Sequence, residues 1–273
     1  MSPRKKKSDA QPAYLLGLEW RDRDKEPPNK EKYPFQLPWL TEKFELEFKS
    51  PVTFFVGENG SGKSTLIEAM AVLTGLPITG GSRNEASARL GPETDSELAH
   101  ELRPLFRKQP RDGYFFRAEL FANFASLLDE RNADPEFRRW GNPYSAYGGK
   151  SLHHRSHGES FMELINHRLN RGLYLLDEPE SALSPQRQLF LLAKIRDRVR
   201  TGASQFVIAT HSPILLTYPG AEIVSFDEPK LSKVALEETS HYFITKGILD
   251  NPQQYWKHLD QAGQKQLFDD QPE

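Results

Sequence analysis

The sequence predicts an α/β domain with a mainly parallel central sheet. Unbroken apolar runs, such as residues 52–56 and 172–176, are typical of strands buried on both faces, as in parallel sheets. Helix-like segments follow these runs, and this alternation indicates a parallel sheet covered by helices. Near the N-terminus, "KFELEFK" alternates apolar and polar residues with period two, which predicts an antiparallel β piece beside that sheet.

Composition narrows the classes of protein to consider. The chain has 273 residues, a formal net charge of −2 and no cysteine. The charge predicts no general attraction to nucleic acid or anionic membranes. No apolar run approaches the roughly 20 residues of a membrane span, so we expect no membrane insertion. The absence of cysteine fits a reducing cytoplasm, and the basic start "MSPRKKKSDAQP" predicts a solvated tail at residues 1–12.

The first half of the chain contains short strands and then a polar region. We expect strands at "AYLLGLEW", "YPFQLPWL", "KFELEFK" and "PVTFFV", followed by a helix. Residues 77–155 are polar, helix-biased and interrupted by prolines. The prolines exclude a long coiled-coil arm, and the helix bias predicts an inserted helical subdomain. Within it, "SELAHELRPLF" predicts a short helix, and "GYFFRAELFANFASLLDE" predicts a strand that runs into a helix.

The second half returns to alternating strands and helices. "ESFMELINHRLN" predicts a helix, "GLYLLDEPE" a strand, and "SPQRQLFLLAKIRDRVR" a helix capped by Ser184. "SQFVIATH", "AEIVSF" and "KVALEE" predict strands, and "HYFITKGILDN" a last helix. We therefore expect one domain over residues 13–273. Residues 13–76 and 156–250 form its core, 77–155 its insertion and 251–273 its tail.

The segment "GENGSGKST" carries the clearest chemical motif. A glycine-rich loop between an apolar strand and a helix lets successive backbone N–H groups point at phosphate oxygens. Lys63 is expected to reach the β- and γ-phosphates, and the Ser64 hydroxyl to bind Mg²⁺. ATP and Mg²⁺ are thus the expected ligands. The nucleotide-binding residues are Gly57, Glu58, Asn59, Gly60, Ser61, Gly62, Lys63, Ser64 and Thr65.

Two further polar sites follow apolar strands. "LYLLDEP" places Asp177 and Glu178 at the carboxyl end of a strand, where α/β proteins bind ligands. We expect Asp177 to hold Mg²⁺ and Glu178 to polarise the attacking water. His211, in "IATHSP", follows another strand and is expected to contact the γ-phosphate. Lys63, Glu178 and His211 are the predicted catalytic residues.

These motifs, in this order, resemble the ATP-binding cassette (ABC) ATPases. "GENGSGKS" resembles their Walker A loop, "SHGES" their signature loop, "LYLLDEP" their Walker B strand, "ESALS" their D-loop and "ATH" their switch histidine. The wording is similar to that of small stand-alone bacterial ATPases, called AAA-family or ABC-like, on the SMC-like side of the family. The resemblance implies a P-loop NTPase fold of ABC type and a head-to-tail, ATP-dependent homodimer.

In that resemblance the signature loop acts on the nucleotide of the other subunit. The residues carried over are Ser156, His157, Gly158 and Glu159. His157 departs from the family pattern, which has glycine there, so a β-carbon must fit beside the partner's nucleotide or an imidazole must add a donor to it. A zinc site at His153, His154 and His157 is the alternative interpretation, and it lacks a fourth ligand because no cysteine is present.

The resemblance also implies a residue that contacts Mg²⁺ and an aromatic ring that stacks on adenine. Glu119 or Arg117, after "GYFF", is the candidate for the first role, with Gln109 as the alternative. Tyr33 and Phe35 are the candidates for the second role, and core packing is the alternative for both.

The sequence therefore predicts an Mg²⁺-dependent ATPase that acts as a dimer switch on an unidentified partner protein. Nucleic-acid maintenance or phage defence with a separate effector is one biological role, and nucleic acid is then a candidate partner. A nucleotide-binding subunit of a membrane transporter and a non-hydrolysing ATP-gated interaction module are the alternatives.

Overall fold

A computed structural model describes residues 11–22, 30–83, 96–119, 121–139, 141–154 and 157–261. Its strands, in chain order, are β1 (Leu15–Trp20), β2 (Glu45–Glu47), β3 (Val52–Val56), β4 (Leu102–Phe106), β5 (Gly113–Arg117), β6 (Gly172–Asp177), β7 (Ser204–Ala209), β8 (Glu222–Ser225) and β9 (Ser232–Lys233). Its helices are α1 (Lys63–Thr74), α2 (Glu97–Glu101), α3 (Phe121–Ala133), α4 (Pro135–Arg138), α5 (His157–Arg168), α6 (Pro185–Arg200), α7 (Pro213–Leu216), α8 (Ser240–Asp250) and α9 (Pro252–Gln261).

The central sheet has the strand order β5-β6-β7-β3-β8-β9. Every pair from β5 to β8 is parallel, and β9 joins β8 antiparallel. Every residue of β3, β6 and β7 is buried, as their unbroken apolar runs predict. The predicted α/β fold class, with its mainly parallel sheet, is confirmed.

Two hydrophobic clusters cover the two faces of this sheet. Alternate residues of each strand point to opposite faces, so Phe55 belongs to one cluster and Phe54 to the other. The first cluster packs α1 and the N-terminal sheet against the strands, through residues such as Leu66. The second packs α5 and α6, through residues such as Phe161 and Leu191. The strand ends are thereby held in fixed register for the loops that follow them.

A smaller antiparallel sheet of order β2-β1-β4 lies beside the core. It confirms the predicted N-terminal antiparallel piece. Two local predictions in the first half of the chain are wrong. Residues 33–40 form turns rather than a strand, and residues 102–106 form β4 rather than the end of a helix, since α2 ends at Glu101. The segment predicted as a helical insertion thus also supplies β4 and β5, and its longer helix is α3.

The strand predicted at "KVALEE" is also wrong, since β9 is only Ser232–Lys233 and Leu236–Glu238 forms a short 3-10 helix. The Ala235 N–H donates to Glu238 Oε2 at 2.6 Å, which closes a turn there instead of pairing with a strand.

The remaining element predictions agree with the structure. Ser184 caps α6, because its Oγ accepts a hydrogen bond from the Arg187 backbone N–H at 3.4 Å. The last predicted helix is α8, and α9 lies within the predicted C-terminal tail. Within the described ranges, none of the helices has the length and apolar composition that a membrane crossing requires.

Candidate nucleotide site

The predicted phosphate loop lies between β3 and α1. Gly62, the residue before α1, has a left-handed backbone with φ of 93°. A β-carbon at this position would lie 2.9 Å from Leu37 Cδ1 and 3.1 Å from Trp39 Cζ2, so both the backbone and the available space require glycine. Trp39 also donates from Nε1 to the Ser61 carbonyl at 2.7 Å. The N-terminal segment therefore holds the loop in its curled shape.

The ammonium group of Lys63 lies inside this loop. The residue is 4% exposed, and its Nζ donates to the carbonyl oxygens of Gly57 and Glu58 at 2.7 and 2.9 Å. Burial lowers the pKa of Lys63, and the carboxylates around it, Glu178 first among them, oppose that shift. A buried cation at the start of a helix is suited to phosphate oxygens.

Ser64 and Asp177 meet across the site. Ser64 follows Lys63 on α1, Asp177 ends β6, and the Ser64 hydroxyl donates to Asp177 Oδ1 at 3.1 Å. Burial raises the pKa of Asp177 to about 6, although Arg117 and the Ser64 hydrogen bond oppose the rise. A hydroxyl and a carboxylate are the oxygen ligands that Mg²⁺ takes when substrate phosphates complete its shell. The two side chains therefore fit the predicted metal.

Arg117 lies beside this pair. It ends β5 directly opposite Asp177 in the register of the two strands, and its Nε is 3.8 Å from Asp177 Oδ2. Its Nη1 forms an ion pair with Glu68 of α1 at 2.8 Å. Glu119 lies two residues further on, with an 80% exposed side chain whose Oε2 is 3.9 Å from Arg117 Nη2. Of the two sequence candidates, Arg117 is the one in contact with Asp177.

Glu178 follows β6 in an uncommon backbone conformation. Its φ is 49°, the left-handed region that residues other than glycine seldom adopt. The backbone is held there because the Glu178 N–H donates to the Ala209 carbonyl at 3.0 Å and the Glu178 carbonyl accepts from Ser181. The side chain stays partly exposed, and its Oε1 is 3.6 Å from His211 Nε2. A carboxylate is thus held at the mouth of the site, next to an imidazole.

His211 is held by two hydrogen bonds, one through its backbone and one through its ring. Its backbone N–H donates to Glu180 Oε1 at 2.6 Å, and its Nδ1 lies 2.7 Å from Nε2 of His241 on α8. Burial and the Lys63 ammonium lower the pKa of His211 to about 4, so the ring is neutral near pH 7. Burial also raises the pKa of Glu180, the residue whose side chain accepts the hydrogen bond from the His211 backbone. The ring therefore acts as a neutral donor or acceptor at this site.

The start of α5 lies near the D-loop segment. Ser156 lies outside the described residues, and the structure gives the backbone of His157 but not its side chain. Gly158 is buried, and a β-carbon there would meet the guanidinium of Arg187 and approach the Ala182 carbonyl to 2.9 Å. The neighbouring Glu159 is exposed. The predicted signature loop thus begins a helix that packs directly on α6.

Comparisons with known proteins show which families and proteins this chain is similar to. Residues 35–119 match the family described as "AAA domain", and residues 152–217 match "AAA domain, putative AbiEii toxin, Type IV TA system". A protein of Caldanaerobacter subterraneus subsp. tengcongensis is described as "Putative ABC transporter ATP-binding protein". It is 29% identical to this chain over 189 residues, which are 66% of this chain and 77% of the length of that protein. The chain is thus similar in sequence to AAA-domain families and to a protein described as an ABC transporter ATP-binding protein.

Solved structures similar to this chain include ATP-binding cassettes and SMC heads. The ADP conformation of an ATP-binding cassette of an ABC transporter has a TM-score of 0.46 and 17% identity, over 88% of this chain and 96% of its own. An SmcHead bound to the C-winged helix domain of ScpA has a TM-score of 0.43 and 16% identity, over 82% of this chain and 99% of the SmcHead chain.

The two adenine candidates differ in exposure. Phe35 is 8% exposed and belongs to the hydrophobic core. Tyr33 is 54% exposed, and its hydroxyl contacts the Thr65 hydroxyl at the end of the phosphate loop. Of the two rings, the one of Tyr33 is available for stacking.

The histidine-rich stretch before α5 shows no metal centre in its described part. His153 Nε2 lies 3.0 Å from the Ser126 hydroxyl. Over the residues that the structure describes, no group of three or more His, Cys, Asp or Glu side chains could hold a metal ion. The side chains of His154 and His157, which the zinc interpretation needs, lie outside the described residues.

Sequence reasoning missed three side chains that support this site. Asp227 follows β8, and its Oδ1 accepts from the Glu58 N–H of the phosphate loop at 2.8 Å. Asp227 and Glu180 both follow strands of the central sheet, which is the signal that identified Asp177. His241 lies on a C-terminal helix far along the chain, and no motif marks it.

Proposed function

We propose that this ABC-like ATPase binds ATP and hydrolyses it to ADP and phosphate in an Mg²⁺-dependent reaction. The observation that carries the proposal is the meeting of Lys63, Ser64, Asp177, Glu178 and His211 at the carboxyl ends of β3, β6 and β7. These strands end at one edge of the sheet, the usual ligand position in α/β proteins.

Each group has a distinct task in this proposal. The loop N–H groups and Lys63 bind the β- and γ-phosphates, while Ser64 and Asp177 hold Mg²⁺. Bound Mg²⁺ would neutralise charge on the phosphate oxygens. Glu178 accepts a hydrogen bond from water and aligns it, and His211 donates to the γ-phosphate. Such positioning and electrostatic stabilisation account for most catalysis of phosphoryl transfer.

Phosphate release from Mg-ATP by the wild type and by Lys63→Ala tests this proposal. We expect turnover in the wild type and its loss in the variant, because the buried Lys63 ammonium, which lies inside the loop, is the group expected to bind the β- and γ-phosphates. Chelation of Mg²⁺ with EDTA should stop the wild-type reaction. Absence of phosphate release from the wild type, with ATP still bound, would favour the alternative of a non-hydrolysing ATP-gated module.

We also propose that two copies close head-to-tail around two ATP molecules, each supplying residues 156–159 to the nucleotide of the other. In this proposal residues 13–273 are one domain, and hydrolysis opens the dimer. Light scattering of Glu178→Gln with saturating Mg-ATP should show a dimer that Ser156→Ala weakens. A Glu178→Gln protein that stays monomeric would exclude this arrangement.

The partner on which the switch acts is a further part of the proposal. The role that we propose is in the cytoplasm, in defence or nucleic-acid maintenance, with a separate effector protein. The match of residues 152–217 to a family described as "putative AbiEii toxin, Type IV TA system" favours the role in defence. The name of the Caldanaerobacter relative favours a second candidate, the nucleotide-binding subunit of a transporter. Salt-sensitive stimulation of hydrolysis by DNA would support the first, and a response equal to the DNA-free rate would count against it.

A further inference from the structure

His241 contacts the ring of His211 from a helix that belongs to none of the predicted motifs. It is the second residue of α8, which the Thr239 side chain caps. Its Nε2 lies 2.7 Å from His211 Nδ1, and the two ring centroids are 4.8 Å apart. Its other nitrogen, Nδ1, lies 3.5 Å from the Ser240 hydroxyl. The two imidazoles therefore share one hydrogen bond.

Two neutral imidazoles can share a hydrogen bond in two ways. If His211 donates from Nδ1, its Nε2 carries no hydrogen, whereas if His241 donates, His211 Nε2 carries the hydrogen. Both rings are neutral near pH 7, because burial is the largest cause lowering the pKa of each. The charged groups that shift the pKa values of this pair include Lys63, Glu58 and Asp227. The carboxylates of Glu178 and Glu180 also lie against His211. The direction of the shared bond thus decides what His211 offers the site.

The remaining nitrogen of His211 lies near the carboxylate of Glu178 and, in the proposed function, near the γ-phosphate. Its Nε2 is buried, has no hydrogen-bond partner among the described residues, and lies 3.6 Å from Glu178 Oε1. A carboxylate and a phosphate oxygen both accept hydrogen bonds and donate none. A hydrogen on Nε2 suits both neighbours, and it requires that Nδ1 be the acceptor of the shared bond.

We propose that His241 is a positioning residue, which donates from Nε2 to His211 Nδ1 and thereby fixes the tautomer whose Nε2–H serves the nucleotide. The Ser240 hydroxyl donates to Nδ1 of His241 and completes the chain. This inference rests on the proposed function, and His241 acts through His211 without touching ATP. An imidazole held by a second group at its far nitrogen has a set tautomer and ring orientation.

His241→Phe and His241→Gln test this inference. Phenylalanine keeps a ring but removes the donor, so we expect kcat to fall about tenfold, the effect of one weakened hydrogen bond, with KM for ATP unchanged. Glutamine can place its amide nitrogen near the position of Nε2, so His241→Gln should recover most of kcat. His167→Gln, an exposed site on α5, is the matched control and should behave as wild type.

Nitrogen-15 NMR of the histidines in ATP-free protein provides a readout independent of hydrolysis. In the wild type, His211 should show an unprotonated Nδ1 and a protonated Nε2, and His241→Phe should mix the two tautomers. A protonated Nδ1 in the wild type, or a His241→Phe variant with unchanged kcat and an unchanged His211 spectrum, would overturn the inference. Absence of hydrolysis in the wild type would overturn the proposed function, while the spectrum would still decide the role of His241.

Discussion

Arg117 places a permanent positive charge beside the carboxylate that we expect to hold Mg²⁺. Its guanidinium bridges Glu68 and Asp177, at 2.8 and 3.8 Å. In the family that the motifs resemble, the expected residue at this strand end is an uncharged glutamine. An arginine lowers the pKa of Asp177 against the effect of burial, but it also repels a divalent cation. Substitution of Arg117 can show whether the lowered pKa of Asp177 or the repulsion of Mg²⁺ has the larger effect on metal binding.

Arg117→Gln should lower the Mg²⁺ concentration needed for half-maximal phosphate release several-fold at pH 8. The reason is that a unit charge near 4 Å contributes about 1 kcal/mol even in water, and pH 8 is well above the pKa of about 6 for Asp177 in the wild type. Arg117→Lys keeps the charge and should leave the Mg²⁺ requirement near that of the wild type. An unchanged or higher Mg²⁺ requirement in Arg117→Gln would show that repulsion of Mg²⁺ is not the main effect of the Arg117 side chain.

At the scale of single residues, the sequence predicts functional side chains that lie next to recognisable local patterns. Lys63 and Ser64 follow a glycine-rich loop, and Asp177 ends an apolar strand, so each is marked by its neighbours in the chain. The contacts made by Arg117 and His241 join residues far apart in sequence. Spacing along the chain carries no information on such pairs, because the packing of separate elements creates them.

At the scale of elements, the close packing of α5 on α6 depends on Gly158. A β-carbon at this position would meet the backbone carbonyl of Ala182 at 2.9 Å, as well as the end of the Arg187 side chain. An arginine side chain can move aside, but the carbonyl belongs to the turn that follows Glu178. The position of α5 is therefore tied to the geometry of the candidate site.

Gly158→Ala should lower the free energy of unfolding by about 1–3 kcal/mol, the usual cost of an inserted methyl group in a packed contact. Urea unfolding measures this change. Asn166→Ala, at an exposed position of the same helix, should change the free energy of unfolding by less than about 0.5 kcal/mol. Equal stability of Gly158→Ala and wild type would mean that α5 can shift away from α6 without cost.

The wrong element predictions have physical reasons in pairing between distant strands. Residues 102–106 continue a helix-like pattern, yet they pair with β1, and Pro104 lies opposite Leu18. Proline is tolerated there because β4 is at the edge of its sheet, where one side needs no ladder bonds. In residues 33–40, Pro34 and Pro38 remove backbone donors, and the segment turns across the phosphate loop instead.

At the scale of the whole molecule, one buried side chain joins the two sheets. Gln205 of β7 is fully buried, and its Oε1 accepts from the backbone N–H groups of Tyr14 and Leu15 at 3.0 and 2.8 Å. Its Nε2 donates to the Leu15 carbonyl at 2.8 Å. The Gln205 amide thus adds three buried hydrogen bonds to the apolar packing that attaches the N-terminal sheet to the central sheet.

Gln205→Leu should lower the free energy of unfolding by about 3 kcal/mol or more, because each buried backbone group left without a partner costs about 1–3 kcal/mol. Tyr14→Phe, which removes only the bond from the hydroxyl to the Ala203 carbonyl, should cost about 1 kcal/mol. Urea unfolding compares the two variants. A Gln205→Leu protein no less stable than Tyr14→Phe would contradict this account of the sheet junction.

The central claim is that Glu178 aligns water for hydrolysis at a site built by Lys63, Asp177 and His211. The most direct measurement compares ATP affinity and phosphate release in the wild type and Glu178→Gln, with Mg²⁺ present. Because the carboxylate faces His211 at the mouth of the site, we predict similar affinity and a rate lower by about 10²–10⁴-fold, the usual contribution of a general base. Wild-type turnover in Glu178→Gln would contradict the claim.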